Sequence, residues 1–270
     1  MKASISQIKK FKACRRAWQL KYQEHLIPVT PAEALEVGKS YHQYIEALEN
    51  GVTLVGNPEY AGDYSKAYAM ARAYENYIFP KFHVVAAEKE LEKQIGDHIL
   101  HGFVDGLSDD GYIVEHKTTS QDIAEGGEYE YNLLWDEQVL AYMSLSGLRK
   151  VHYTVCKKPT IRLKKDETDE EFFYRMLEWY DTDTDNKIRV FTVERTDDEV
   201  AQFEDDFMMI CDEMVHSGYH YRNTCNCNSF GRRCEYASVC LHYDPGQQYI
   251  DFVKSERKVG NENELVFGEF

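Results

Sequence analysis

The hydrophobic pattern changes at His83, and this change constrains the fold of the chain more than any other feature. Three successive stretches read as β-strands, in the order "HVVAAEKELEKQI", "HILHGFVDGL" and "YIVEHKTT". The last two are joined through "SDDG", where Asp110 and Gly111 favour a tight turn. The sequence therefore predicts a meander of three strands between residues 83 and 120.

The segments on both sides of this meander have helical periodicity. Upstream, we predict helices over about 5–25 with Ser4 as N-cap, over "AEALEVGKSYHQYIEALE" with Asn50 and Gly51 as its end, and over "YSKAYAMARAYENYIF". Downstream, we predict one helix over "YNLLWDEQVLAYMSLSG", a strand over "KVHYTVCKKP", and helices at 167–181 and 196–217 around a strand "IRVFTVER". This order predicts an α/β or α+β fold, with a central mixed sheet flanked by helices.

The 270 residues contain no repeat and no clear internal boundary, so we predict a single domain over 1–270. It would consist of a helical N-terminal part (1–80), a core (81–195), a helix with a cysteine-rich segment (196–245) and a tail (246–270). No stretch reaches the roughly eighteen apolar residues of a membrane helix, and the N-terminus lacks a signal-peptide core. We expect a soluble cytoplasmic protein with no membrane partner.

The charges are distributed unevenly along the chain. A formal net charge of −16 argues against a nucleic-acid partner, because phosphate binding depends on Lys and Arg. Residues 1–21 and 149–165, however, each hold seven bases and no acid. These stretches are either two solvated faces or the lining of one cationic groove on an anionic body.

The predicted hairpin places two acids and a lysine close together. Because side chains alternate along a strand, Glu115 and Lys117 share one face and His116 points to the other. The turn brings Asp105 to within about one rung of Glu115. Spacing alone leaves two possibilities: a cross-strand ion pair on the surface, or a site for a hard cation such as Mg²⁺ or Mn²⁺.

The spacing "GFVDG…YIVEHKTT" resembles the PD-(D/E)xK nuclease superfamily, whose core is restriction-endonuclease-like. The resemblance implies that Asp105, Glu115 and Lys117 are catalytic, with the two acids on the metal and the lysine serving the attacking water. It also implies that His116 contributes its backbone carbonyl to the metal.

Two further motifs are similar to the RecB-like branch of this superfamily. "QVLAY" resembles its Q-x-x-x-Y motif, which implies that Gln138 and Tyr142 position the substrate. "VGKSYHQYIEALENG" resembles its histidine motif, which makes His42 a third metal ligand. From the residues alone, a single helical histidine such as His42 is more often structural, and Gln138 and Tyr142 could equally serve helix packing.

Seven cysteines in a chain without a secretion signal argue against a disulfide framework, and four of them lie within 225–240. "FGRRCEYASVC" resembles the C-terminal segment of RecB-like nucleases that carry a [4Fe–4S] cluster. The resemblance implies Cys14, Cys227, Cys234 and Cys240 as cluster ligands, with Cys225 as the alternate to Cys227. Zinc is the competing metal, because four thiolates suit either.

Phage and prophage nucleases of the RecB-like branch are similar in "YTVCKKPTIRLKKDETDEEFFYRM" and in the cysteine segment. This resemblance implies a metal-dependent DNA exonuclease of phage recombination or replication, acting in the cytoplasm of a bacterial host. Its substrate would be linear duplex or single-stranded DNA without sequence preference, and a single-strand annealing or other recombination protein is a candidate partner. Oligomerisation stays open. Trp18 and Tyr22 either stack on bases or pack in the core.

Two alternatives remain from the sequence. One is a nuclease of the CRISPR-adaptation type that trims DNA. The other is a DNA-binding scaffold that carries an iron–sulfur cluster and has no catalytic activity.

Overall fold

A computed structural model of the chain describes residues 1–28, 33–229, 232–241 and 252–254. Its centre is a six-stranded mixed sheet formed by β1 (Lys2–Ser4), β3 (Val84–Ile95), β4 (His98–Ser108), β5 (Ile113–Thr119), β6 (Lys150–Lys157) and β7 (Ile188–Glu194). Two small antiparallel pairs lie outside it: β2 (Leu26–Pro28) with β10 (Phe252–Lys254), and β8 (Asn228–Ser229) with β9 (Arg232–Arg233). The predicted mixed sheet and the meander β3–β4–β5 are confirmed.

The sheet has the order β1-β4-β5-β6-β7, and β3 also pairs with β4. The pairs β1·β4 and β5·β6 are parallel, and the remaining pairs are antiparallel. Because β3 runs along the whole of one edge of β4, strands β1 and β5 share the other edge. There β1 pairs with residues 99–101 and β5 with residues 106–107, so residues 102–105 of β4 lie between the two strands.

Helices cover both faces of the sheet. They are α1 (Ile5–Ala13), α2 (Arg15–Trp18), α3 (Glu33–Glu49), α4 (Lys66–Tyr77), α5 (Glu128–Leu133), α6 (Glu137–Ser146), α7 (Asp169–Asp181), α8 (Asp197–His216) and α9 (Ala237–Leu241). Helices α3, α4 and α7 form one apolar cluster with the end of β6. Helices α5 and α6 pack with β5 and β6 in a second cluster, and α1, α6 and α8 form a third. Of the helices described, none is both long and apolar enough to cross a membrane.

Local capping signals place several helix ends as predicted. The Ser4 hydroxyl accepts a hydrogen bond from the Gln7 N–H (3.4 Å) at the start of α1. Past the end of α3, the Gly51 N–H bonds the Leu48 carbonyl (2.9 Å) with a φ of 87°, a conformation that glycine adopts without strain.

The helix predicted over 5–25 is interrupted at Cys14. Cys14 has extended backbone angles (φ −163°, ψ 113°), so α1 ends at Ala13 and a separate helical segment begins at Arg15. The backbone hydrogen bonds at the break are nevertheless made, because the Cys14 N–H bonds the Lys10 carbonyl and its own carbonyl accepts from Trp18. The break therefore turns the chain at the cysteine with little loss of hydrogen bonding.

The single helix predicted over "YNLLWDEQVLAYMSLSG" is also wrong. The chain forms α5 and α6, separated by Leu134, Trp135 and Asp136. Asp136 has extended backbone angles and is the N-cap of α6, since its Oδ1 accepts from the Gln138 N–H (3.1 Å). The apolar periodicity continues across this junction, which explains why the sequence pattern hides it.

The basic stretch 1–21 is mostly neutralised by acids of the body. Its cations form these ion pairs: Lys2 with Glu92, Lys9 with Asp136, Lys10 with Glu235, Lys12 with Glu137, Arg15 with Glu213 and Arg16 with Glu24. These pairs connect the first helices to α6, α8 and the cysteine-rich segment. The basic residues of this stretch therefore attach the first helices to the rest of the protein through ion pairs.

Part of the predicted tail 246–270 belongs to the fold, because β10 pairs with β2. The stacked rings of Tyr236 and Phe252, with centroids 5.5 Å apart, add a contact between this strand and the cysteine-rich segment. Residues 242–251 and 255–270 lie outside the described residues.

Candidate active site

Asp105 and Glu115 meet where β5 leaves β4. The register pairs Gly106 with Val114, so one rung further Asp105 stands opposite Glu115. At that rung a side chain replaces the ladder bond, because Asp105 Oδ2 accepts from the His116 backbone N–H (2.8 Å). Gly106 permits this close approach, since a Cβ there would lie 3.1 Å from the Val84 side chain and 3.2 Å from that of Val114.

Both carboxyl groups are withdrawn from water. Glu115 is 2% exposed, and its Oε2 has no hydrogen-bond partner among the described residues. Burial, followed by the charge of Asp105, raises the pKa of Glu115 to about 7, and burial also raises the pKa of Asp105. Two buried acids that repel each other, one with a free oxygen, suit a bound cation.

Lys117 is fixed by three partners. Its Nζ donates to Glu115 Oε1 (2.6 Å) and to Gln138 Oε1 (3.1 Å), and lies 3.2 Å from Asp136 Oδ2. Burial alone would lower the pKa of Lys117, but the charges of Glu115 and Asp136 outweigh it and raise the pKa. Lys117 is therefore a protonated amine held beside the acidic pair.

The two residues of the Q-x-x-x-Y motif are connected to this lysine. Gln138 Nε2 donates to the hydroxyl of Tyr142 (2.8 Å), while its Oε1 faces Lys117. Tyr142 is only 5% exposed and packs in the cluster beneath the sheet. Tyr142 therefore fixes Gln138, and Gln138 in turn orients the amine of Lys117.

His42 reaches the site from α3. Its Nδ1 lies 3.8 Å from Asp105 Oδ2, and its side chain is 33% exposed. Burial and the positive charge of His116 lower the pKa of His42 to about 4. A neutral imidazole carries the lone pair that a metal ligand needs.

Glu88 is a further acid at the site that none of the sequence motifs indicates. Possible ligand atoms of His42, Glu88 and Asp105 all lie within 4.8 Å of one another, close enough to share one metal ion. Glu88 lies on β3, opposite Asp105 between the pairs Ala87–Gly106 and Lys89–Val104. Burial, followed by the charge of Asp105, raises its pKa to about 7.

The backbone of Glu88 is unusual for a strand residue. Its φ of 44° lies in the left-handed region, which costs a non-glycine residue roughly 1–3 kcal/mol. Such strain is typical of functional sites. In the sequence "EKELEK", Glu88 is one of several similar acids, and only the strand register distinguishes it.

The side chain of His116 points away from the acids, as strand alternation predicts. Its Nε2 lies 3.1 Å from Glu49 Oε1, and its Nδ1 lies 2.6 Å from Thr154 Oγ1. Burial would lower the pKa of His116, but the Glu49 carboxylate outweighs it and raises the pKa to about 9. His116 and Glu49 form a buried ion pair behind the site.

Three of the four predicted cluster ligands border one apolar cluster near the C-terminal end of α1. Cys14, Cys234 and Cys240 border one apolar cluster with Ala17, Leu20, Leu26, Tyr236 and Val239. Asn223 links Cys14 to Cys227, since its N–H bonds Cys14 Sγ (3.4 Å) and its carbonyl accepts from Cys227 Sγ (3.8 Å). The Cys227 carbonyl in turn accepts from the Cys234 N–H (2.9 Å). Cys225 is exposed.

Trp18 does not serve as a stacking surface. Its side chain is 3% exposed and packs edge-on against Phe11, with ring centroids 5.2 Å apart. The described tryptophan that does face solvent is Trp135, 70% exposed, in the junction between α5 and α6.

Comparison with known proteins gives a family match for the chain. The family model of the PD-(D/E)XK nuclease superfamily matches residues 2–241. A candidate exonuclease from Eubacterium rectale is 14% identical, with a TM-score of 0.46 over 89% of this chain and 87% of that one. A phage-related exonuclease from Haemophilus somnus 129PT is 15% identical, with a TM-score of 0.38 over 68% and 86%. The curated proteins give no significant match.

Proposed function

Because the chain belongs to the PD-(D/E)XK nuclease superfamily, we propose that it is a metal-dependent DNA exonuclease of phage recombination or replication. The observation that carries this proposal is the buried Glu115 beside Asp105, whose side chain is 12% exposed, with Lys117 hydrogen-bonded to Glu115 at 2.6 Å. A surface ion pair would leave these carboxylates in water, where their charge needs no cation.

The residues of the site fit a divalent metal. Asp105, Glu115, His42 and the His116 backbone carbonyl would hold it, and Glu88 is close enough to His42 and Asp105 to join them. When bound, Mg²⁺ or Mn²⁺ would polarise a phosphodiester oxygen and lower the pKa of a water. The free Oε2 of Glu115 is an acceptor available for that ion.

Lys117 acts from a fixed position. Glu115, Gln138 and Asp136 hold its ammonium group beside the acids, where it would orient the attacking water and neutralise charge that develops at the phosphate. Tyr142 fixes Gln138 in turn. In this proposal Gln138 and Tyr142 serve substrate cleavage by positioning Lys117.

Phosphates would bind along the segment 157–165. The Lys158 N–H bonds the Thr119 carbonyl (2.7 Å), which places the segment at the end of β5, two residues beyond Lys117. Arg162, Lys164 and Lys165 are exposed there. Contacts to phosphates carry no sequence information, which suits an exonuclease that degrades any DNA.

For the cysteine-rich end, we propose a [4Fe–4S] cluster on Cys14, Cys227, Cys234 and Cys240. The contact of the Cys227 thiol with the Asn223 carbonyl supports this set over one with Cys225, whose side chain is exposed and which contacts Asn223 through its backbone N–H. Four thiolates would also accept zinc. Such a centre would join residues 1–80 to residues 196–245 and make the chain one nuclease domain.

A digestion assay tests the proposed function. End-labelled linear DNA and circular DNA are incubated with Mg²⁺ or Mn²⁺, and we expect degradation of the linear DNA only. Asp105→Ala and Lys117→Ala should each lower the rate at least about 100-fold. Lys150→Ala is the matched control, since Lys150 pairs with Glu194 outside the site.

Each outcome separates the proposal from its rivals. Degradation by both variants at the parent rate would show that the active site is misassigned. Binding without degradation by the parent would favour the non-catalytic scaffold, and cleavage restricted to trimming of short DNA would favour the CRISPR-adaptation type. Purification with an annealing protein and the measured oligomeric state address the proposed partners.

A further inference from the structure

Two aromatic side chains face solvent at the junction between α5 and α6. Tyr131 is 59% exposed and Trp135 is 70% exposed, and their rings meet edge to face with centroids 6.2 Å apart. Leu134 beside them is 44% exposed. Large apolar side chains that adjoin one another at the surface commonly mark a binding site.

The junction lies directly beside the catalytic lysine. Trp135 precedes Asp136, whose Oδ2 is 3.2 Å from Lys117 Nζ. Two residues beyond Asp136, Gln138 contacts the same amine at 3.1 Å. Trp135 is therefore one residue along the chain from a side chain that contacts Lys117.

Three cations contact the junction, two of them through its acids Asp136 and Glu137. Lys9 pairs with Asp136 at 2.7 Å and Lys12 pairs with Glu137, and both lysine side chains are 43% exposed. Arg195 donates to the Leu134 carbonyl. The side chains of Lys12 and Glu137 are 43% and 34% exposed, and a pair of this kind contributes little to stability, so Lys12 can turn to a phosphate at little cost.

The dimensions of the patch favour a nucleobase over a protein. Tyr131, Leu134 and Trp135 together offer at most roughly 600 Å², below the ~800 Å² that each partner buries in a stable protein interface. A base presents one flat aromatic face of the size of an indole ring. Aromatic rings flanked by cations are the arrangement that binds single strands without sequence preference.

We propose that Tyr131 and Trp135 form a stacking platform for an unpaired base of the DNA strand that enters the active site. In a duplex, the neighbouring bases cover both faces of every internal base. The platform therefore selects single strands and overhangs over blunt ends. This inference rests on the proposed function, since it names the form of DNA that the site prefers.

A binding assay tests the platform apart from catalysis. Fluorescently labelled dT20 and a blunt hairpin duplex are titrated with protein in an Asp105→Asn background that prevents cleavage. Trp135→Ala should weaken dT20 binding about tenfold, which lies within the range known for loss of one base–aromatic stack. Binding of the blunt duplex should change less than twofold.

Three further variants separate stacking from folding and from general apolar contact. Trp135→Phe should restore most of the affinity for dT20, whereas Trp135→Leu should not, because leucine keeps apolar surface and lacks a ring face. Tyr174→Ala is the matched control, since Tyr174 is 56% exposed on α7 across the sheet. It should leave both affinities unchanged.

Four results overturn the platform. The parent does not bind dT20, or Trp135→Ala binds dT20 as tightly as the parent does. Alternatively, Trp135→Ala loses equal affinity for dT20 and for the duplex, or it changes the oligomeric state of the protein and leaves DNA binding unchanged. A parent that binds dT20 but degrades no DNA with metal contradicts the proposed function and leaves the platform intact. A parent that degrades DNA while Trp135→Ala binds dT20 equally contradicts the platform alone.

Discussion

Asp105, Glu115 and Glu88 bring three carboxyl groups to one site, and protons compete there with any metal. The folded-state pKa of Glu115 and that of Glu88 are each about 7, above the usual value of 4.5. The folded protein therefore holds protons that the unfolded chain releases. Without metal, the free energy of unfolding should fall as the pH rises from about 4.5 to about 7.

Metal affinity should consequently depend on pH. We expect the apparent Kd for Mg²⁺ to be about tenfold higher at pH 6 than at pH 8 for each carboxylate with a pKa near 7 that must lose its proton. Isothermal titration calorimetry at the two pH values measures this ratio. Glu88→Gln should weaken binding and reduce the ratio, and a pH-independent Kd in the parent would contradict the assignment.

His116 stabilises the fold from behind the site through its ion pair with Glu49. Replacing it with Ala leaves a buried carboxylate without its cation, and we expect a loss of about 3–5 kcal/mol in the free energy of unfolding at pH 6. Because the pKa of His116 is raised to about 9, this contribution is complete below about pH 6.5 and disappears as the pH rises through 9.

Urea unfolding of the parent and of His116→Ala at pH 6 and pH 9.5 measures both effects. The exposed His83 provides the control, and His83→Ala should cost less than about 0.5 kcal/mol at either pH. A stability difference between parent and His116→Ala that stays constant with pH would show that packing, and not charge, accounts for the role of His116.

At the scale of elements, the junction between α5 and α6 determines how Lys117 is held. Asp136 caps α6 through the Gln138 N–H and contacts both Lys9 and Lys117. One carboxylate thereby couples a helix end, the first helix of the chain and the amine of Lys117. The charges of Lys117 and Lys9 outweigh its burial and lower the pKa of Asp136 to about 2.

Two variants of Asp136 separate these roles. Asp136→Asn should preserve the cap, because Asn and Asp are similar N-cap residues, and should lower kcat by about tenfold through a less ordered Lys117. Asp136→Ala should cost a further ~1 kcal/mol of stability. Digestion rates and thermal unfolding measure the two effects.

Glu137→Gln is the matched control for Asp136→Asn. Glu137 pairs with Lys12 at the same junction but has no described contact with Lys117. The Glu137→Gln variant should retain the kcat of the parent. Equal losses of kcat in both variants would show that the attachment of α1, and not the position of Lys117, limits cleavage.

At the scale of the whole molecule, the two ends of the described chain meet at the cysteines. Cys14, Cys234 and Cys240 border one apolar cluster, which also contacts Phe252 of β10. The same first helix reaches the active site through Lys9. A centre bound by the cysteines would therefore stabilise a segment that extends through Lys9 and Asp136 to Lys117.

Loss of this centre should unfold both ends together. We expect Cys14→Ser to lack the visible absorption of an iron–sulfur cluster and to expose α1 and α9 to limited proteolysis, while the sheet stays protected. Cys225→Ser should retain colour and resistance, because Cys225 is exposed. A colourless parent that contains zinc would identify the competing metal.

The sequence by itself determined the features that depend on neighbours along the chain. The strand meander, the turn at Gly111, the Ser4 cap and the placement of Asp105 near Glu115 follow from alternation and turn chemistry within a few residues. Lys117 shares a face with Glu115 for the same local reason. These interactions are short in sequence, so their pattern can be read directly.

Only the tertiary structure decided the features that depend on distant partners. Glu88 lies beside His42 and Asp105 because of the register of β3 on β4. Asp136 begins α6 at a position where the apolar pattern of the sequence continues without interruption. Cys14 breaks its helix where it meets Asn223, more than 200 residues away. Packing overrides helical propensity at such positions, because propensity contributes less than about 1 kcal/mol per residue and tertiary contacts contribute more.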